Sequence, residues 1–271
     1  MNNFLTKIGM LCILAVMFLA ATSCMEENGI EILPLPPIYE VEDMNIDDVI
    51  PQEWLYQIEQ NMPIHRGKTP PNVVGCYLNK SNWLRASNVP EDFIPDPDYG
   101  LTALQFRWQD LLFKFTNQTP NNSIFYEGRQ IDYTTNELAG VEIGQGSISG
   151  TGNNFTIMLL VNHKTANYTA ENVLILSGTK TSAGIQSFHY CLLVLDKIDP
   201  LGLAIPIGSI RIFYDSEFLS KNANWNNGKG KETFASSEFA NSINSMLTRT
   251  NADSSPNNSV TILPKLIKGG K

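Results

Sequence analysis

Chemistry starts from side chains that can ligate, attack or move protons, and this sequence offers few of them at useful spacing. Its three histidines, His65, His163 and His189, stand apart and no His-Glu-x-x-His occurs, so no zinc pattern is present. The run Gly144-Gln-Gly-Ser-Ile-Ser-Gly-Thr-Gly152 invites a phosphate loop or a nucleophile elbow and fits neither. The elbow needs Ser at position 148, which is Ile, and no Gly-Lys-Ser/Thr follows. Glycines there read as a kinked strand and its hairpin. Glu127, Asp132, Glu137 and Glu142 could supply the paired carboxylates of glycoside hydrolysis, which must stand about 5–9.5 Å apart in space. Asp96-Pro-Asp98 offers oxygens to calcium without the EF-hand pattern, so a solvated loop is expected. The residues therefore assign no catalytic group, no metal and no cofactor. Trp83, Trp108, Phe113, Tyr126 and Tyr190 are candidates to line a ligand cavity, with core packing as the default for inward aromatics.

The chain has 271 residues, a net charge of -8 and 42% hydrophobic residues, enough to build a core and too acidic to grip nucleic acid by neutralising phosphates. Lys7 is the only charged residue before Glu26, and fourteen residues without a polar side chain follow it, Ile8 to Ala21. That run is short of the ~20 residues a membrane-spanning helix needs and has the layout of a secretory signal. Ala21-Thr22-Ser23 then precede Cys24. The arrangement resembles the lipobox of bacterial lipoproteins, which implies cleavage after Ser23 and acylation of Cys24. Met25-Glu26-Glu27 is similar to the acidic signal that sends Bacteroidota lipoproteins to the outer face of the outer membrane. The resemblance implies a lipid-anchored protein of the cell outer membrane, exposed at the surface.

The elements follow in order. Residues 24–45 are acidic and carry Pro34, Pro36 and Pro37, an extended tether. Pro51 to Met62 predicts a short helix, with Pro51 in its first position and Trp54, Leu55, Ile58 and Met62 on one face. From Asn72 to Tyr214 the pattern is β. Strands are expected at Val73–Leu78, Leu104–Gln109, Ser123–Tyr126, Val141–Ser149, Phe155–Asn162, Val173–Gly178, Phe188–Leu195 and Ile207–Tyr214. The gaps are too short for crossover helices, so the sheet should be antiparallel. Ile157-Met-Leu-Leu-Val161 and Leu192-Leu-Val-Leu195 are apolar on both faces, as strands covered on both sides would be. Cys76 and Cys191 could bridge in an exported chain or serve as two small buried hydrophobes. Residues 216–271 read as an Asn-rich loop, a helix with Phe239, Ile243, Met246 and Leu247 on one face, and an edge strand near Val260.

Gly75-Cys76-Tyr77 in the first strand and Arg211 in the last are similar to the Gly-x-Trp and Arg of the lipocalins (calycins). The resemblance implies an antiparallel β-barrel from Asn72 to Tyr214, latched by Arg211 packed on Tyr77, in a domain over 46–215 that includes the leading helix. The strands apolar on both faces would also suit a β-sandwich, the alternative. Lipobox, acidic pair, tether, helix and strands together are similar to surface lipoproteins of gut Bacteroidota, a likeness that implies no activity. The expected function is a non-enzymatic lipoprotein that encloses a small apolar or glycan-like ligand. The alternatives are an interaction component of an envelope assembly without a cavity, and a hydrolase with two converging carboxylates.

Overall fold

The computed structural model describes residue 46 and residues 50–225. The signal segment, acylation of Cys24, the tether, the C-terminal helix and the last edge strand all lie outside the described residues.

Helix α1 spans Gln52–Asn61, and Pro51 caps it from just outside, with ψ 138°, instead of occupying its first position. The expected stripe is the one that packs: Leu55, Ile58 and Met62 are buried, with Trp54 against them. Eleven strands follow in one sheet: β1 (Lys68–Thr69), β2 (Gly75–Asn79), β3 (Asn82–Ser87), β4 (Asp110–Thr116), β5 (Ser123–Ile131), β6 (Leu138–Thr151), β7 (Asn154–Thr165), β8 (Thr169–Lys180), β9 (Gly184–Ile198), β10 (Ile210–Asp215) and β11 (Leu219–Asn222). Every pairing between them is antiparallel except that of β1 with β6. The chain is mainly β, as its alternation and short gaps require.

The pairing runs from β2 through β4 to β9 in sequence order, and β11 bonds to both β9 and β2. Eight strands thus form a closed ring. Strand β9 forks: its first residues pair with β11, and its later ones, from His189 on, pair with β10. Strand β3 joins β10, and a single bridge from Trp83 to Arg107 returns the pairing toward β4.

Two apolar layers explain the strands that are apolar on both faces. Inside the ring, Phe113, Phe115, Tyr126, Phe155, Leu159 and Phe188 pack with their neighbours into one cluster. Outside it, α1 lays Leu55, Ile58 and Met62 over Met158, Ile175, Cys191 and Ile212. Each such side chain contributes roughly 1.5–3 kcal/mol on burial. Gly144 and Gly146 on β6 let β7 approach closely: a methyl on Gly146 would overlap the Met158 carbonyl oxygen.

Three expectations change. No strand forms at Leu104–Gln109; Thr102 and Gln105 close a capping box around one turn of 3-10 helix at Ala103–Gln105, and β4 starts at Asp110. Strand β3 occupies a stretch to which no element was assigned, bracketed by Asn79-Lys80-Ser81 and Asn88-Val89-Pro90. The ring also runs past residue 215, because β11 closes it. Cys76 and Cys191 are both free thiols, Cys191 buried beneath α1.

A polar cavity at the loop end

The register places the β3–β4, β5–β6, β7–β8 and β9–β10 connections at one end of the sheet. Toward the opposite end the ring is filled by the aromatic cluster. Toward the loop end the inward positions turn polar, and a partly open cavity of about 120 Å³ remains. For comparison, a cavity of about 150 Å³ holds one benzene. Trp108, Gln130, Glu142, His163, Tyr168, Asn172, Tyr190 and Arg211 are among its lining residues, and Leu203, Ala204 and Ile205 of the β9–β10 loop close over it.

Glu142 and His163 face each other across β6 and β7. Glu142 accepts hydrogen bonds from Tyr126 Oη at 2.7 Å and Gln130 Nε2 at 3.0 Å, with His163 Nδ1 at 3.2 Å. Burial pushes its carboxyl upward. The hydrogen bond and charge of His163, helped by Tyr126 and Gln130, outweigh burial and hold it below its ordinary 4.5. Burial first, and Glu142 second, raise Tyr126 well above its usual value. Glu142 is thus a carboxylate held ionised inside the ring by three donors.

The opposite wall is built around Arg211. Its Nε and Nη2 donate to the two oxygens of Asp92 at 2.8 and 2.6 Å, a bidentate pair, and Ser87 Oγ donates to Asp92 at 2.6 Å. The guanidinium lies 4.8 Å from the centre of the Trp108 ring. Trp108 is fixed in turn by its indole N–H to Ala103 O and by edge contact with Phe213, on which Tyr190 stacks at 4.6 Å. Asn82 Nδ2 donates to Tyr190 Oη at 2.7 Å. Two buried oxygens here lack a hydrogen-bond partner, Asn82 Oδ1 and Asn172 Oδ1. The β9–β10 loop is held down by Asp199, which accepts from the Leu203 and Ala204 amides, and by Lys197, which donates to Ala204 O.

The sequence-derived candidates divide. Trp108 and Tyr190 line the cavity. Phe113 and Tyr126 are core side chains, Phe113 stacked on Phe188 at 4.9 Å, although the Tyr126 hydroxyl reaches Glu142. Trp83 lies on β3 and is not among the lining residues. The latch is re-paired. Arg211 covers Trp108, and the cation over Tyr77 is Lys180, 5.0 Å from its ring. Gly75 has φ 152°, and a Cβ there would come within 3.0 Å of Tyr77 Oη, which donates to Val73 O. Burial pushes the Tyr77 phenol up to about 12.

The four carboxylates weighed for hydrolysis do not converge. Glu127 pairs with Lys114, Asp132 caps a turn through Thr134 and Thr135, and Glu142 alone of the four lines the cavity. Among the described residues no cluster of three or more His, Cys, Asp or Glu could hold a metal, and no helix is long and apolar enough to cross a membrane. Glu142 was weighed only as a hydrolytic carboxylate, and Gln130, Tyr168 and Asn172 were not singled out, although strand phase carried a signal: Glu142 shares its phase with Leu138 and Ile148, and Asn172 with Leu174 and Leu176.

No family model, no curated protein and no solved structure matches the chain.

Proposed function

We propose that this chain is a lipid-anchored surface lipoprotein whose ring of strands is a lipocalin-like barrel that holds a compact, glycan-like ligand in its polar end. The observation that carries the binding reading is the cavity itself. It combines an aromatic wall of Trp108, Phe213 and Tyr190, suited to the face of a sugar ring, with planar polar groups that suit hydroxyls. An apolar ligand is disfavoured, because it would leave Asn82 Oδ1 and Asn172 Oδ1 buried without partners. The cavity is smaller than one that encloses a benzene and is partly open, so a single sugar ring would seat partway in its mouth. The anchor and outer-membrane location rest on Ala21-Thr22-Ser23-Cys24 and Glu26-Glu27.

The test is a titration of the purified full-length protein with free hexoses, following the Trp108 indole resonance. Saturable shifts at millimolar sugar that disappear in Asn172→Ala support the reading. Silence across the panel, or shifts indifferent to that substitution, overturns it. Mass spectrometry of membrane-extracted protein tests the anchor, and an unmodified Cys24 refutes it.

A second reading has its own observation. Loops at the cavity end expose Phe93, Ile94, Tyr99, Leu201 and Ile207, apolar side chains of the kind that mark a protein contact. In that reading the loops dock a partner in an envelope assembly.

A further inference from the structure

The cavity and its mouth differ in chemistry. Inside, Asn82 and Asn172 are 2% and 3% exposed and each keeps a side-chain oxygen without a partner, so the buried end suits a polar group. The β9–β10 loop at the mouth is the reverse. Leu203 lines the cavity and is nevertheless 59% exposed, and Leu201 and Ile207, at 65% and 50%, flank it in the same loop. Hydrogen bonds near both ends of the loop fix it. Asp199 accepts from the Leu203 and Ala204 amides at 2.9 and 2.8 Å, and Lys197 Nζ donates to Ala204 O at 2.7 Å. At the far end Asn88 Nδ2 donates to Gly208 O at 3.1 Å, and the Ile210 amide donates to Asn88 Oδ1 at 2.7 Å. An apolar ledge is thus held in place beside a polar opening, with leucine and isoleucine left facing water.

Size sets what meets the ledge. At about 120 Å³ the cavity lacks room for a whole hexose ring, and it is partly open, so a ligand of that size projects past Leu203. From this geometry we propose that the ligand is an amphiphile, a sugar carrying an apolar substituent, with the sugar seated partway in the mouth and the substituent lying on Leu201, Leu203 and Ile207. The inference rests on the cavity being a sugar site and adds what the sugar is attached to. A substituent there removes apolar surface of both partners from water, and its contribution grows with the area it covers.

Four probes separate the two claims. They are the methyl and hexyl glycosides of one hexose, its diethylene glycol glycoside, which matches hexyl in chain length but is polar, and hexanol, which lacks the sugar. Glucose and galactose, each as both anomers, supply the hexose. All are titrated against the full-length protein below any micelle-forming concentration, following the Trp108 indole resonance. In at least one series the hexyl glycoside should bind roughly tenfold or more tighter than the methyl glycoside, the polar chain should stay close to methyl, and hexanol alone should not bind measurably. Leu201→Ser combined with Ile207→Ser changes two exposed side chains outside the cavity lining. It should reduce the hexyl advantage several-fold and leave methyl-glycoside binding where it was. A hexyl glycoside no tighter than the methyl one, a polar chain that gains as much, or an advantage that survives the double substitution overturns the amphiphile and leaves the sugar site standing. Hexanol that binds as tightly as the hexyl glycoside, or no binding of any glycoside, overturns both.

Discussion

Replacing Asp92 by Ala should cost the fold about 3 kcal/mol. Asp92 is almost fully buried and accepts three hydrogen bonds, two from Arg211 and one from Ser87. Removing one member of a buried charge pair typically costs about 3–5 kcal/mol, because the surviving charge keeps its desolvation penalty without its partner. The lower end applies here. The Arg211 side chain is 16% exposed, so water reaches it, and the Trp108 face retains part of its attraction for the cation. For a domain of this size 1 kcal/mol shifts Tm by about 2–4 °C, so Asp92→Ala should melt roughly 6–12 °C below the wild type. The assay is a thermal cycle over Asp92→Ala, Arg211→Met and their combination. Arg211→Met alone orphans the carboxylate in the same way, whereas the double variant leaves neither charge behind. Its loss should therefore be smaller than the sum of the two single losses, by a coupling of about 2 kcal/mol. Strict additivity, or a single variant within about 0.5 kcal/mol of the wild type, would refute the claim that this pair ties the loop after β3 to β10.

Three further outcomes can be measured. Glu142→Gln should lower Tm at neutral pH by several degrees, since it weakens charge-assisted hydrogen bonds worth about 1.5–3 kcal/mol each. The folded carboxyl lies below its ordinary 4.5, so its contribution is present above that value and is lost as pH falls through the folded one; the gap to wild type should close in acid, and a gap constant to strongly acid pH would contradict it. Gly146→Ala should cost about 3 kcal/mol or prevent folding, because its methyl meets β7 backbone where no side chain can give way; soluble protein with unchanged Tm counts against the close approach. Alkylation of the native protein should label Cys76 well before Cys191, whose thiol burial holds in its neutral form, and reductant should leave Tm unchanged; equal labelling rates would show that α1 does not cover Cys191.

The long strands were readable because both of their faces are apolar or strictly alternating, and β6 to β9 extend the expected runs by only a few residues at each end. Short strands were not. β3 and β11 hold six and four residues, and each gains its place from a partner distant in sequence, β10 for one and β2 with β9 for the other. Leu104, Phe106 and Trp108 alternate as a strand would, yet the Thr102–Gln105 capping box and the Arg107–Asp110 ion pair offered local bonds that a strand would have forfeited. The site was half legible. Trp108, Tyr190 and Arg211 stood out by type, but the partner of Arg211 could not be read, since Asp92 and Trp108 reach it only through the fold. The Glu142–His163 contact requires the β6–β7 register, and that depends on where the hairpin turns at Gly152.

The clasp between β9 and β2 is four residues long and falls late in the chain. During synthesis nearly the whole ring must wait open until residues 219–222 arrive. In that interval β2 and the first residues of β9 expose bare amide edges, the kind that recruit strands from other molecules. A chain stalled before Leu219 is therefore poised to polymerise, whereas one that has gained four more residues buries the temptation within itself.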